Sequence, residues 1–128
     1  MSDYLSKLFS LKGKTAIVTG GSGQLGCEYV KALLAAGARV AVFDINYENT
    51  RGKIHSIKSS NLMLVQVDIT KKESVEQGLK SVLKKFKRAD ILINNAAIDA
   101  PPNAPEEETC PFETYPESSW QKIMEVNL

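Results

Sequence analysis

The 128-residue chain is poor in the residues from which several kinds of site are built. It has two cysteines, Cys27 and Cys110, and one histidine, His55. Neither cysteine has metal-ligand spacing, and two thiols make no disulfide framework, so a zinc module and a disulfide-stapled scaffold are both excluded. An excess of one charge is missing too. Sixteen Lys and Arg stand against fifteen Asp and Glu, a formal +1 that makes no electrostatic case for nucleic acid or an anionic membrane. No apolar run approaches the length that spans a bilayer. The start, Met1-Ser2-Asp3-Tyr4-Leu5, lacks a signal-peptide core, and no repeat or low-complexity segment occurs. With 43% hydrophobic and 24% charged residues, the composition is that of one modest soluble domain, expected in the cytoplasm.

What is present concentrates at one junction. Lys14 to Val18 reads as a β-branched strand between Gly13 and Gly20. From Gln24 onward Leu25, Val30, Leu33 and Leu34 recur at helical spacing until Gly37 stops the helix. Between strand and helix lie Thr19, Gly20, Gly21, Ser22, Gly23, Gln24, Leu25 and Gly26, in which Gly21, Gly23 and Gly26 spell G-x-G-x-x-G. Glycines there permit a tight turn, let backbone approach a pyrophosphate and let helix pack against strand. The N–H groups and positive dipole end of the helix then face phosphates. Arg39 to Phe43 is a second strand, apolar from Val40 on, as one covered on both faces should be. Asp44 at its carboxyl end, about 20 residues beyond the glycines, is placed to accept hydrogen bonds from an adenosine ribose. Cys27, in the first turn of the glycine-loop helix, is expected to be a small buried filler, and His55 a surface residue.

Strands and helices go on alternating. Tyr47 to Ile57 is weakly helical, Asn61 to Val67 a third strand, and Lys72 to Phe86 an amphipathic helix with Val75, Leu79, Val82, Leu83 and Phe86 on one face. Ala89 to Ile93 is a fourth strand, and Glu117 to Leu128 opens another helix with Trp120, Ile123, Met124 and Val126 apolar. Lys84 to Arg88 suits a helix C-terminus, where cations complement the dipole. Right-handed crossovers make such a succession a parallel sheet.

These residues resemble the N-terminal half of a short-chain dehydrogenase/reductase, from about Leu11 to Leu128. Thr19 to Gly26 resembles the family's cofactor loop, Asp68-Ile69 its adenine contact and Asn94-Asn95-Ala96-Ala97 its N-N-A-G motif. Trp120 to Leu128 resembles the helix that carries its catalytic-site asparagine, which falls on Asn127. The resemblance implies an α/β Rossmann-type doubly wound sheet, order 3-2-1-4, in three αβα layers, with residues 1–128 as part of a longer domain. It implies NAD as cofactor, since Asp44 repels a 2′-phosphate and Ile45-Asn46 bring no arginine to accept one. It implies Asp68 and Ile69 beside the adenine, and Asn95, Ala96 and Ala97 along the cofactor's path, while Asn94 braces the sheet. A small-molecule substrate and homo-oligomers built through the Glu117 helix are implied as well.

Three features depart from the family pattern. Gln24 stands where the classical branch's T-G-x-x-x-G-x-G loop has its middle glycine, and the spacing T-G-x-x-G-x-x-G is that of the extended branch. Ala97 replaces the last glycine of N-N-A-G. No tyrosine has a lysine four residues later: Tyr4, Tyr29, Tyr47 and Tyr115 are followed by Leu8, Leu33, Arg51 and Ser119. The Tyr–Lys dyad of the family's acid–base chemistry is therefore expected beyond Leu128, and the 128 residues alone are expected to be inactive. An alcohol/ketone oxidoreductase is the leading reading. A nucleotide-sugar epimerase or dehydratase of the extended branch and a non-catalytic dinucleotide-binding module are the alternatives. The long connection 99–117, with Phe112 and Tyr115, is either a wall of the substrate pocket or a solvated excursion stiffened by prolines. Glu106 to Glu108 reads as a solvated face.

Overall fold

The computed structural model describes residues 3–46, 48, 54–99, 106 and 109–128. They divide into two compact units, residues 1–95 and 96–128. The first holds the sheet. Strands β1 (Thr15–Thr19), β2 (Arg39–Asp44), β3 (Leu62–Gln66) and β4 (Ile91–Ile93) pair in the order β3-β2-β1-β4. Every pairing is parallel, with Val18 opposite Val42 and Ile93, and Val42 opposite Leu64. β1 is buried along its whole length and β2 through Val40–Phe43. This is the consequence of apolar side chains pointing to both faces of a covered strand.

Helix α1 is Asp3–Leu8, α2 Gln24–Ala35, α3 Lys72–Phe86 and α4 Glu117–Asn127. One face of the sheet packs Ala16, Val18, Val40 and Val42 against Cys27, Val30 and Leu33 of α2. The other packs Ile17, Ala41, Phe43 and Val67 against Val82 and Phe86 of α3. The three αβα layers and the strand order 3-2-1-4 are thus those expected. Gly37 stops α2 with φ +91 and its N–H on Leu34 O at 3.0 Å. α3 ends without glycine: Lys87 adopts the left-handed conformation itself, φ 69, and donates to Leu83 O at 2.9 Å.

Four expectations are adjusted. Leu25 is 66% exposed, because at 3.6 residues per turn it lies roughly 140° round the helix from Val30. Leu79 and Leu83 sit at the margins of the α3 stripe and stay partly in solvent. The fourth strand begins at Ile91 rather than Ala89, since Asp90 turns its carboxylate onto the Thr15 N–H at 2.8 Å. Of the weakly helical segment only a 3-10 turn, Ile54–Ser56, is described; Tyr47 and residues 49–53 lie outside the described residues. His55 is exposed in that turn, as expected of it. Helix α1 has no counterpart in the sequence reading.

Candidate functional site

The glycine loop joins the carboxyl end of β1 to α2, and its geometry rests on close backbone packing. Gly20 takes φ +61, a conformation that side chains disfavour, and its carbonyl accepts the Gly23 N–H at 3.1 Å. A Cβ added to Gly26 would lie 2.3 Å from Gly20 O and 2.7 Å from Gly21 Cα, whereas one on Gly23 would lie 3.3 Å from Gly20 O. The last glycine of the motif therefore lets α2 close on the loop. Cys27 N–H is the first to find a helical acceptor, Gly23 O at 3.0 Å. Among the described residues no acceptor faces the N–H groups of Gln24, Leu25 and Gly26. A row of free donors at the positive end of a twelve-residue helix is a receptor for an anion. Gly23 and Gln24 are exposed there, and Gln24 is the first residue of the helix. Burial pushes the Cys27 thiol up, so this fully buried residue is packing, as expected.

Two residues from other strands fasten the loop. Asp44 ends β2 and accepts the Ser22 N–H at 3.1 Å on one carboxylate oxygen and the Asn46 N–H at 3.1 Å on the other. The loop and the acidic residue 22 positions away are thus brought together by the parallel register of β1 and β2. Ile45 beside it is 62% exposed. Asn95, just past β4, donates its backbone N–H to Thr19 Oγ1 at 3.0 Å. Its side-chain amide donates to Thr19 O at 3.0 Å and Gly20 O at 3.1 Å. Asn95 thus braces the end of β1 and the start of the loop. Ser22 is 1% exposed, and its hydroxyl has no partner among the described residues.

Asp68 follows β3 and is already engaged. Its carboxylate accepts Thr70 Oγ1 at 2.6 Å and Thr70 N–H at 3.0 Å, with Lys71 Nζ at 3.3 Å. Thr70, and then Lys71, hold its pKa below the ordinary aspartate value. Its own N–H goes to Ser74 Oγ at 3.0 Å, a contact for which the sequence carried no signal. Ile69 packs partly against the α3-side core.

Within the second unit, Asn127 near the end of α4 bonds both backbone polar groups of Ile98. Its Nδ2 donates to Ile98 O at 3.0 Å, and its Oδ1 accepts the Ile98 N–H at 2.9 Å. The side chain serves another segment rather than its own helix. Ala96 is half-buried and Ala97 exposed. Of the long connection, residues 100–105, 107 and 108 lie outside the described residues. Phe112 and Trp120 meet edge to face, centroids 6.1 Å apart. Among the described residues no group of acids, histidines and cysteines is arranged to hold a metal, and no helix is long and apolar enough to cross a membrane.

The family model described as short chain dehydrogenase matches residues 14–128. A short chain dehydrogenase/reductase of Gibberella zeae, dpfgG, is 36% identical over 129 residues, covering 100% of this chain and 45% of its own length. An NAD-dependent glycerol dehydrogenase of Listeria innocua is 34% identical over 122 residues, covering 95% of this chain and 44% of its own. The crystal structure of a 3-ketoacyl-(acyl-carrier-protein) reductase from Brucella melitensis, complexed with NADH, superimposes with a TM-score of 0.77 at 30% identity. The match covers 93% of this chain and 46% of that one. The chain thus spans a little under half the length of these relatives.

Proposed function

This chain belongs to the short chain dehydrogenase family, and we propose that it is the cofactor-binding half of an oxidoreductase that moves hydride between an alcohol or ketone and NAD(H). The observation that carries the reading is the Asp44 carboxylate held against the glycine loop by the Ser22 N–H. A carboxylate fixed there accepts hydrogen bonds from ribose hydroxyls and repels the extra phosphate of NADP. The free N–H groups at the start of α2, the glycine cradle under Gly26 and the orphaned Ser22 hydroxyl fit a dinucleotide's diphosphate and adjoining ribose.

When bound, nicotinamide supplies the hydride acceptor or donor. The chain's own residues do the holding. Gly21 to Gly26 seat the diphosphate, Asp44 and Ile45 take the adenosine ribose, Asp68 and Ile69 flank the adenine, and Asn95, Ala96 and Ala97 lie along the dinucleotide. Asn127 positions the Ile98 backbone after the fourth strand. No tyrosine in the 128 residues is followed by lysine four positions on, so the phenol and ammonium of proton transfer are proposed to lie beyond Leu128. The names of the relatives favour neither an epimerase nor a non-catalytic module. A small-molecule substrate, homo-oligomers and a cytoplasmic setting complete the reading.

Calorimetric titration of the full-length protein with NAD+ and NADP+ tests it. NAD+ is expected to bind more tightly, and Asp44→Ala to narrow the gap. Equal or tighter NADP+ binding overturns the preference.

A further inference from the structure

The formal charge of +1 conceals a segregation. Residues 1–95 carry fifteen of the sixteen Lys and Arg and eight of the acids; residues 96–128 carry Lys122 against seven acids. Within the first unit, many of the cations converge on the edge formed by the amino ends of the strands, opposite the glycine loop. The Arg39 guanidinium donates to Gly13 O at 3.1 Å and stands 5.7 Å from the Phe86 ring centroid. The Lys85 ammonium stands 5.1 Å from the same centroid and donates to Leu62 O at 3.2 Å. Lys12, Lys14, Lys84, Lys87 and Arg88 are exposed around them. Asp90 lies among these cations and is engaged by Arg88 and the Thr15 N–H. The α3 dipole accounts for Lys84 and Lys85. It does not account for Lys12, Lys14 and Arg39, which come from other elements.

An apolar tip adjoins this belt. The Leu11 N–H bonds Ala36 O at 2.8 Å, anchoring the chain at the same edge, and three residues span at most about 11 Å. Helix α1 therefore stays beside the cations, and it exposes Tyr4, Leu8 and, one residue on, Phe9, at 72%, 59% and 66%.

We propose that this edge docks on an anionic phospholipid surface, with α1 and Phe9 entering the headgroup region and Lys12, Lys14, Arg39, Lys84, Lys85 and Lys87 facing the lipid phosphates. Aromatic and leucine side chains beside lysines are the composition of an interfacial anchor. A nucleic acid would use the cations and aromatics and leave Leu8 without a partner. The small net charge of the whole chain is no obstacle, because surface attraction acts over about a Debye length, roughly 10 Å at 0.1 M salt.

The test is flotation of the full-length protein with phosphatidylcholine vesicles and with vesicles that also contain phosphatidylserine. Binding to the phosphatidylserine vesicles is expected to exceed binding to phosphatidylcholine alone and to fall as salt is raised. The K12E/K14E/K84E triple variant is expected to lose about tenfold or more in partitioning, and F9S to lose binding without a change in salt dependence. Neither variant touches the glycine loop, so unchanged NAD+ affinity and thermal unfolding serve as fold controls. Equal binding to both vesicles, or a charge-reversed variant that partitions like the parent, overturns the proposal. So does a shift of the parent's sedimentation to a smaller species on charge reversal, which makes the edge a contact between copies, and so does RNA binding without vesicle binding.

Discussion

Asn95 donates to Thr19 twice, from its backbone N–H to the threonine hydroxyl and from its side-chain amide to the threonine carbonyl, both at 3.0 Å. The remaining amide hydrogen goes to Gly20 O at 3.1 Å, the carbonyl that a Gly26 side chain would strike. One asparagine past β4 thus holds the end of β1 and the first peptide of the loop in a single arrangement. Asn95→Leu leaves two loop carbonyls without this donor, and loss of a partner to a part-buried polar group costs about 1–3 kcal/mol. Thermal unfolding is expected to show that loss, and NAD+ titration a weaker affinity. Asn95→Asp should be worse still, because it sets a carboxylate against two carbonyls. An unchanged melting temperature in both variants would separate Asn95 from loop stability.

Gly26 and Gly23 offer an internal comparison within one motif. Alanine at Gly26 meets backbone at 2.3 Å and 2.7 Å, and alanine at Gly23 meets one carbonyl at 3.3 Å. Neither contact is the end of a flexible side chain. Gly26→Ala is expected to force α2 off the loop, costing about 1–3 kcal/mol as an overpacked site does and abolishing measurable cofactor binding. Gly23→Ala should cost well under half as much. Denaturant titration of the two variants ranks them, and equal costs would refute the packing account of the last glycine.

Acid should loosen the start of the sheet before its centre. Arg88 beside Asp90, and then the Thr15 N–H, hold the Asp90 carboxyl below its ordinary value. Thr70 does the same for Asp68. A pKa lower in the folded than in the unfolded chain contributes stability that is complete above the unfolded aspartate value. That stability is lost as pH falls through the folded one. Asp90→Asn is therefore expected to reduce stability at neutral pH and to flatten its fall below the ordinary aspartate range. Unfolding midpoints measured from neutral pH downward check this, and parallel curves for variant and parent would count against it.

Among the described residues β4 pairs with β1 alone, and Leu92 is 60% exposed. An apolar edge strand is a template for another chain. The 128-residue polypeptide produced by itself is expected to self-associate, and Leu92→Lys to shift it toward monomer in sedimentation velocity. A monomeric parent would remove the edge as a cause.

Asn127 accepts from the Ile98 N–H and donates to the Ile98 C=O. On the proposed reading, Asn127→Leu in the full-length protein is expected to lower turnover on the order of 10²-fold, the scale of a small misplacement of reacting groups, while NAD+ affinity stays largely intact. Turnover at the parent's level would exclude Asn127 as a positioning residue.

The strand–glycine–helix junction, the acid at Asp44 and the alternation of strands and helices were legible because they depend on local signals, whereas the strand order was implied only by the family resemblance. A β-branched run, a φ that favours glycine and an apolar period of 3.6 or a wholly apolar strand are each decided within a few residues. The role of Asn95 was not legible, nor were the Ser22–Asp44 contact, the engagement of Asp68 by Thr70 and Ser74, or the bonding of Asn127 to Ile98. A side-chain amide has two donors and an acceptor wherever it stands, and for Asn95 only the parallel register of β1 with β4 decides which carbonyls lie 3 Å away, as that of β1 with β2 does for Asp44 and Ser22. Charge behaved in the same way. The sequence sums to +1, while the fold gathers Lys12, Lys14, Arg39 and Lys84 to Arg88 on one edge, since elements far apart in sequence share an end of the sheet only once it has formed.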